Sequence, residues 1–426
     1  MSASLHPLPV VQNWDCHVCG NCCKEYHVVL SNDERRRIEA QGWKDDPSLA
    51  GVPLFTRFGR WWKRRYELAQ RGDGSCVFLS DQGRCRIHER FGHEAKPLPC
   101  RLYPFVLVPA GNTWRVGLRF SCPSAVDNLG RPASAHLPDL KRYADELVAR
   151  EGLSRSPAGP EGLGLPPPRL QGSQRLDWPD TLQIVAALLA IVRDPRDRME
   201  RRLRKCLALA NLCRQAKFDD IKGDRLAEFL GIVAGSLETE VPGSPAAMPR
   251  PSWIGRILFR QALAIFARKD QGPNRGLSAR GYAALLMAAC RFARGTGAVP
   301  KIHARMPDLT FEQAETPAGP LPAEAEQVLE RYYAIKIESV QFCGPTYFGI
   351  PFWEGLEALM LTFPVILWLR RAYTRLPPRE AVARAISLAD DHFGFNRVLG
   401  TLRQRMGFRI LARMGELEKL VAWYSR

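Results

Sequence analysis

The residues best equipped for chemistry are eight cysteines between Cys16 and Cys122. Four of them fall within eight positions, as Cys16-His-Val-Cys19-Gly-Asn-Cys22-Cys23. Two intervening residues let the sulfurs of Cys16 and Cys19 reach one ion from a tight turn, the geometry of a zinc knuckle or an iron–sulfur loop. Gly20 frees the backbone to fold around the site, because it tolerates positive φ. Cys22 follows after another two-residue gap, so three sulfurs can converge on one centre. Adjacent side chains diverge, so Cys22 and Cys23 together suit two centres, or one polynuclear cluster, better than one mononuclear ion.

Four more thiols follow. Cys76 and Cys85 stand on either side of the polar turn Asp81-Gln-Gly83 and read as a hairpin with one sulfur from each arm. Cys100 lies in Lys96-Pro-Leu-Pro-Cys-Arg-Leu-Tyr-Pro104, a loop stiffened by three prolines, which lowers the entropy cost of holding a thiolate. Cys122 precedes Pro123. Eight thiolates suffice for two four-sulfur sites, or for one four-cysteine iron–sulfur cluster plus a second metal. Binding requires deprotonated sulfur, and the metal would add folding energy to a turn-rich segment. His17, His27, His88 and His93 lie near the cysteines in sequence and could replace or orient a ligand.

The expected elements follow from this centre outwards. Ser31 and Glu34 form a capping box for a helix with Ile38 inward and Gly42 as its stop. Phe105–Val108 and Trp114–Phe120 read as a hairpin turned by Gly111-Asn112. A short helix is expected around Asp139–Ala149, then a Pro/Gly-rich stretch from Ser154 to Gln174 that can propagate neither helix nor sheet. From about Trp178 the pattern is helical, interrupted at Val241–Pro251 and Pro317–Pro322; Ile254, Ile257, Leu258, Ala262, Ile265 and Phe266 keep one-face spacing, as do Val328, Leu329, Tyr332 and Ile335. The fold class is therefore an α+β cysteine-cluster domain over residues 10–130, a linker with a short helix over 131–176, and an irregular α-helical domain over 177–426.

The N-terminus has no apolar stretch behind a basic start, which argues against a signal peptide. The apolar runs Thr181–Val192 and Ala358–Leu369 are short of the ~20 residues that span a bilayer and read as buried helices. A cytoplasmic protein without a transmembrane segment is the expectation, and in a reducing compartment clustered thiols are ligands or redox groups rather than disulfide partners. Cys206, Cys213, Cys290 and Cys343 read as small core residues.

The motif Cys16-x-x-Cys19-x-x-Cys22-Cys23, the separated Cys76 and Cys85, Pro-x-x-Cys100-Arg-x-Tyr-Pro104 and Cys122-Pro123 resemble the YkgJ-type cysteine-cluster family, over roughly residues 12–128. The resemblance implies a zinc- or iron-chelating domain with Cys16, Cys19, Cys22, Cys23, Cys76, Cys85, Cys100 and Cys122 as metal ligands. One branch, similar in having a helical region after this domain, is the flagellin lysine-N-methylase FliB. That likeness implies methyl transfer from S-adenosylmethionine to a protein lysine, with a 4Fe-4S iron–sulfur cluster as cofactor. Two other functions fit the residues: a structural-zinc adaptor for nucleic acid or protein, and an iron–sulfur electron-transfer protein. No glycine-rich S-adenosylmethionine signature, G-x-S-x-G, H-E-x-x-H or P-loop pattern is present.

The net charge of +17 favours acidic partners. Arg57–Tyr66 interleaves basic and aromatic residues; it suits nucleic acid, but reads better as an amphipathic cover over the metal loops. Arg101 suits cluster sulfurs, an anionic substrate or a surface ion pair. Arg201, Arg202, Arg204 and Lys205 read as a solvated face, and Glu354 and Glu357 as acids favoured by a helix start.

Overall fold

A computed structural model describes the chain except residues 1–3, 62–63, 152–164, 217, 219, 271–272, 274 and 394–395. The first third is built from short elements: β1 (Ser4–His6), α1 (Asn21–Glu25), β2 (Val29–Leu30), α2 (Asn32–Glu39), β3 (Phe55–Phe58), β4 (Arg65–Leu68), α3 (Arg86–Phe91), α4 (Leu98–Leu102), β5 (Phe105–Ala110), β6 (Thr113–Leu118), α5 (Pro123–Val126) and α6 (Leu137–Glu151). Two three-stranded sheets result, ordered β2-β4-β3 and β1-β6-β5. The expected hairpin is β5–β6: Ala110 pairs with Thr113 across Gly111-Asn112, and Gly111 has φ of +64°.

The rest is helical: α7 (Trp178–Val192), α8 (Met199–Gln215), α9 (Asp224–Glu240), α10 (Trp253–Ala267), α11 (Tyr282–Arg294), α12 (Phe311–Glu315), α13 (Ala323–Glu338), α14 (Phe352–Arg370), α15 (Pro378–His392), α16 (Leu402–Arg413) and α17 (Glu416–Tyr424). The chain is thus an α+β segment followed by a mostly helical part. Helix α14 is the axis of the helical core. It is longer than its apolar run suggested, because the half-polar turn around Glu354 and Glu357 joins it; Phe352–Tyr373 is long and apolar enough to cross a membrane, yet its 18-residue apolar stretch is 100% buried inside the fold. A helix sheathed by other helices can be apolar all round.

Two hydrophobic cores divide the molecule. The larger joins α7–α17 to the β1-β6-β5 sheet and α6, through Phe105, Trp114, Leu118 and Phe120. The smaller holds Leu30, Ile38, Trp43, Leu68, Phe78, Ile87 and a few neighbours beneath the cysteine loops.

Several expectations are corrected here. Arg202, Arg204 and Lys205 are buried rather than solvated, because Glu330, Glu200 and the pair Asp197 and Glu238 reach them across helix faces. Glu354 does sit in the first turn of α14, but it is buried and takes hydrogen bonds from Arg405 and Arg409. Cys206, Cys213 and Cys343 are buried as expected, whereas Cys290 is exposed on α11. Arg101 is a buried clamp: it donates two bonds to Glu146 at 2.9 and 2.5 Å and one to Glu94 at 3.2 Å, pinning α4 to α6. The stretch Arg57–Tyr66 becomes part of the β3–β4 hairpin, with Tyr66 beneath the Arg35 guanidinium; its residues 62–63 lie outside the described residues. The Ser154–Gln174 stretch lies largely outside them too.

Candidate metal centre

The capping box begins the site. Ser31 Oγ accepts from Glu34 N at 3.1 Å, and Glu34 Oε2 accepts from Ser31 N at 2.7 Å. Glu34 Oε1 also accepts from Leu98 N at 2.6 Å. One carboxylate therefore starts two helices, α2 and the single turn α4 that carries Cys100. The proline-stiffened loop expected around Cys100 closes into that turn because Pro97 and Pro99 lie at its start, where a missing N–H costs nothing.

The other cysteine loops meet at Gly20. It has φ of +68°, and a Cβ there would lie 2.9 Å from Gly83 O and 3.3 Å from Leu79 Cδ1. Only glycine lets the Cys16–Cys23 loop cross the Cys76–Cys85 turn this closely. Cys76 N donates to Cys23 O at 2.7 Å, tying the two loops by backbone. Gly83 N donates to Ser80 O at 2.9 Å and turns the chain back, so that Cys85 pairs with Leu79 and caps α3.

Folding sorts the eight thiols into two overlapping groups. Cys22, Cys23, Cys76, Cys85 and Cys100 line a cavity of about 760 Å³, with Cys16 at its edge. Cys16, Cys19 and Cys122, with His17 and His93, line a cavity of about 50 Å³ that shares Cys22 and Cys100. His27 and His88 belong to the larger cavity. His17 Nδ1 is 2.7 Å from Ser124 Oγ, and His27 pairs with Glu67 at 3.2 Å, so both rings are already oriented by protein groups.

The thiol electrostatics match their placement. Burial pushes Cys76 up to about 12, Cys122 up to about 11, and Cys100 well above its ordinary value. Cys22 goes the other way, down to about 7: the Cys23 thiol donates a hydrogen bond to it, and the nearby Lys96 charge assists. A cation that displaces those protons converts a costly buried set of thiols into a bound one. The donor set therefore fits a thiophilic metal. Among the described residues, no three of these sulfurs lie within 4.8 Å of one another; the one triad that close is Asp194, Asp197 and Glu238, far from the cysteines in sequence and already met by Lys205 and Arg201.

Both parts of the chain line the large cavity: Tyr26 and Arg119 come from the cysteine segment, Lys269 and Asp391 from the helical part. The Tyr26 hydroxyl donates to Asp391 Oδ1 at 3.0 Å and lies 2.7 Å from Ser121 Oγ. The Arg119 guanidinium stands 3.9 Å over the Tyr26 ring and donates to Asp391 O at 3.1 Å. Lys269, 1% exposed, pairs with Asp391. Asn396, Arg397 and Val398 complete the wall. Sequence reasoning missed this deck. Tyr26 and Arg119 each stand three residues from a cysteine of the cluster, which is a signal of sorts; nothing marks Lys269 or Asp391.

No curated protein and no solved structure matches the chain, so the resemblance to the flagellin lysine-N-methylase rests on the sequence motif alone. Residues 15–123 match the family model CxxCxxCC, described as a "putative zinc- or iron-chelating domain", so this stretch of the chain is similar to that family.

Proposed function

We propose that the large cavity is the reaction site of an iron–sulfur enzyme, with Cys22, Cys76, Cys85 and Cys100 holding a polynuclear cluster and Cys23 close beside them. The observation that carries this reading is the thiol-lined cavity of about 760 Å³ that Tyr26, Arg119, Lys269 and Asp391 also line. A structural zinc is enclosed by four ligands and needs no such space. Such a volume admits a small-molecule substrate beside the cysteines.

An iron–sulfur cluster supplies electrons one at a time. Around it, Arg119 is placed to meet a carboxylate and the Tyr26 and Tyr103 rings to exclude water, while Lys269 and Asp391 stay paired with each other. That edge suits the carboxylate of S-adenosylmethionine. Methyl transfer from S-adenosylmethionine to a protein lysine, in the manner of the flagellin methylase that the motif resembles, is the activity we infer.

The small cavity favours a second centre. Its size suits a single ion, and Cys16, Cys19 and Cys122 offer the three sulfurs of a zinc knuckle, with His17 as a fourth donor.

Metal and sulfide analysis of anaerobically purified protein tests both centres. Brown protein with acid-labile sulfide, lost in a Cys22→Ser/Cys76→Ser variant but kept in Cys16→Ser/Cys19→Ser, is the expected result. Colourless protein holding only zinc would sink the cluster and leave the structural-zinc adaptor. Equilibrium dialysis with labelled S-adenosylmethionine then tests the donor: binding weakened by Arg119→Met and unaffected by Arg57→Met is expected, and no binding to cluster-loaded protein removes the methylase reading.

A further inference from the structure

Helices α10, α11 and α16 make up less than a tenth of the chain, yet they carry eight of the sixteen exposed large apolar side chains among the described residues. Trp253, Tyr282 and Met287 are 65, 80 and 65% exposed, and Leu402 and Met406 are 65 and 51% exposed. Scattered surface apolars are ordinary; a concentration of this kind marks an interaction surface. Helix α10 packs against both of the others. Arg260 and Gln261 of α10 donate to backbone carbonyls of α11, and Phe266 of α10 stacks on Phe408 of α16 at 5.9 Å.

The charge of these helices is one-sided. The three helices contain eight arginines and no aspartate, glutamate or lysine. Arg260, Arg405 and Arg409 are tied to Glu315 and Glu354, while Arg256, Arg291, Arg294, Arg403 and Arg413 are exposed. These helices also lead to the cavity. Beyond the C-terminus of α10, Lys269 and Asp270 enter the cavity wall, and Val398 in that wall stands four residues before Leu402.

We propose that the α10–α11–α16 face docks an acidic, amphipathic segment of a protein substrate, and that a side chain next to that segment reaches the thiol-lined cavity. This rests on the cavity being a reaction site: a cavity of that size takes a side chain or a small molecule, so a macromolecule must be held outside it. The planar guanidinium pairs with carboxylates through two parallel hydrogen bonds, which favours Asp and Glu side chains over the point-like attraction of a lipid headgroup. Met287, Met406 and Met414 provide flexible apolar contact of the kind used to grip helices of varied sequence. An anionic membrane is the competing occupant, and the test separates the two.

The full chain is titrated against a fluorescent peptide with Leu at helical spacing, Glu between and one Lys at its end. Controls are the same peptide with Gln for Glu, and phosphatidylglycerol vesicles. Wild type should bind the Glu peptide at least about tenfold more tightly than the Gln peptide at low salt, with the difference shrinking as salt rises. Arg291→Glu/Arg403→Glu, and separately Met406→Asp, should each lose about tenfold or more in affinity while keeping the wild-type melting temperature, since these side chains are exposed. Equal binding by those variants overturns the proposal, and so does vesicle binding without peptide binding. A Cys22→Ser/Cys76→Ser variant separates this from the cluster reading: it should bind the peptide like wild type, and lost binding there would show that the arginine face is not the docking site.

Discussion

The two cores of this protein differ in what holds them. The helical core packs around α14, and its buried side chains run from Leu98 to Tyr424. The core under the cysteine loops has ten buried residues, fed by two- to eight-residue elements. A cluster that small buries too little apolar surface to offset the entropy of ordering the loops above it. The helical half has the apolar burial to stand alone, whereas on the proposed reading the cysteine side needs inorganic cross-links. The difference teaches where this molecule should fail first.

Metal removal should have the largest effect and the most local one. After anaerobic chelation, backbone amides of β2, α2, β4 and α3 should exchange on the order of 100-fold faster, the factor expected when a ligand present at about 100 times its Kd is withdrawn. Amides of α13 and α14 should keep their protection. Hydrogen exchange followed by mass spectrometry reads both at once. Uniform loss of protection in the two regions would mean that they form one cooperative unit, and the comparison would break.

The seam between the regions comes next. Lys336 and Asp390 pair at 2.7 Å, each 1% exposed or less by side chain. Lys336 donates to Leu118 O at 3.1 Å, and Asp390 accepts from Phe120 N at 2.6 Å, so the pair fixes the strand end that leads to Cys122. Lys336→Met leaves a buried carboxylate without its cation and should cost about 3–5 kcal/mol in urea unfolding. Lys336→Met/Asp390→Leu should recover part of that loss, because the unpaired charge is gone. If the single variant loses stability but keeps full metal content, the seam does not govern the cysteine side.

Ser31→Ala should have a smaller effect, about 1 kcal/mol, confined to the cysteine side. The hydroxyl that caps α2 is lost, but Glu34 keeps its bond from Leu98 N. Exchange protection of α2 should fall while α4 keeps its own, which distinguishes a lost cap from a collapsed site.

What was legible in the sequence follows the reach of each interaction. The Ser31–Glu34 box and the Gly111-Asn112 turn are settled by neighbours three or four residues away, and both were readable. The clustering of the eight cysteines was readable from spacing, but their division into a large and a small cavity was not, since Cys76, Cys85, Cys100 and Cys122 arrive from four separate elements. Arg202 and Lys205 looked solvated because Glu330 and Glu238 reach them from other helices, whereas Arg204 has Glu200 one turn away and is buried by the same packing. The Tyr26–Arg119–Lys269–Asp391 deck needed the helical half folded against the cysteine loops. Cys290 failed for the opposite reason: its helix looks like a core helix, and its apolar outer face has no cover among the described residues.

The smallest expected effect concerns acid, and it sharpens the contrast again. Burial pushes the Glu354 carboxyl up, but hydrogen bonds and charge from Arg405 and Arg409 outweigh it and hold it below its ordinary value. A carboxylate with a lower pKa folded than unfolded contributes stability at neutral pH, and that contribution fades as pH falls through the folded value. Arg409 is partly exposed, so its share should be about 1 kcal/mol or less. Between pH 5 and pH 3 the unfolding midpoint of the helical half should fall, and Arg405→Met/Arg409→Met should flatten that slope. The metal should leave earlier on the same titration, because protons compete directly for thiolate sulfur. Two separated acid transitions, absorbance first and helical circular dichroism second, are expected; a single shared transition would mean that the helical core depends on the metal after all.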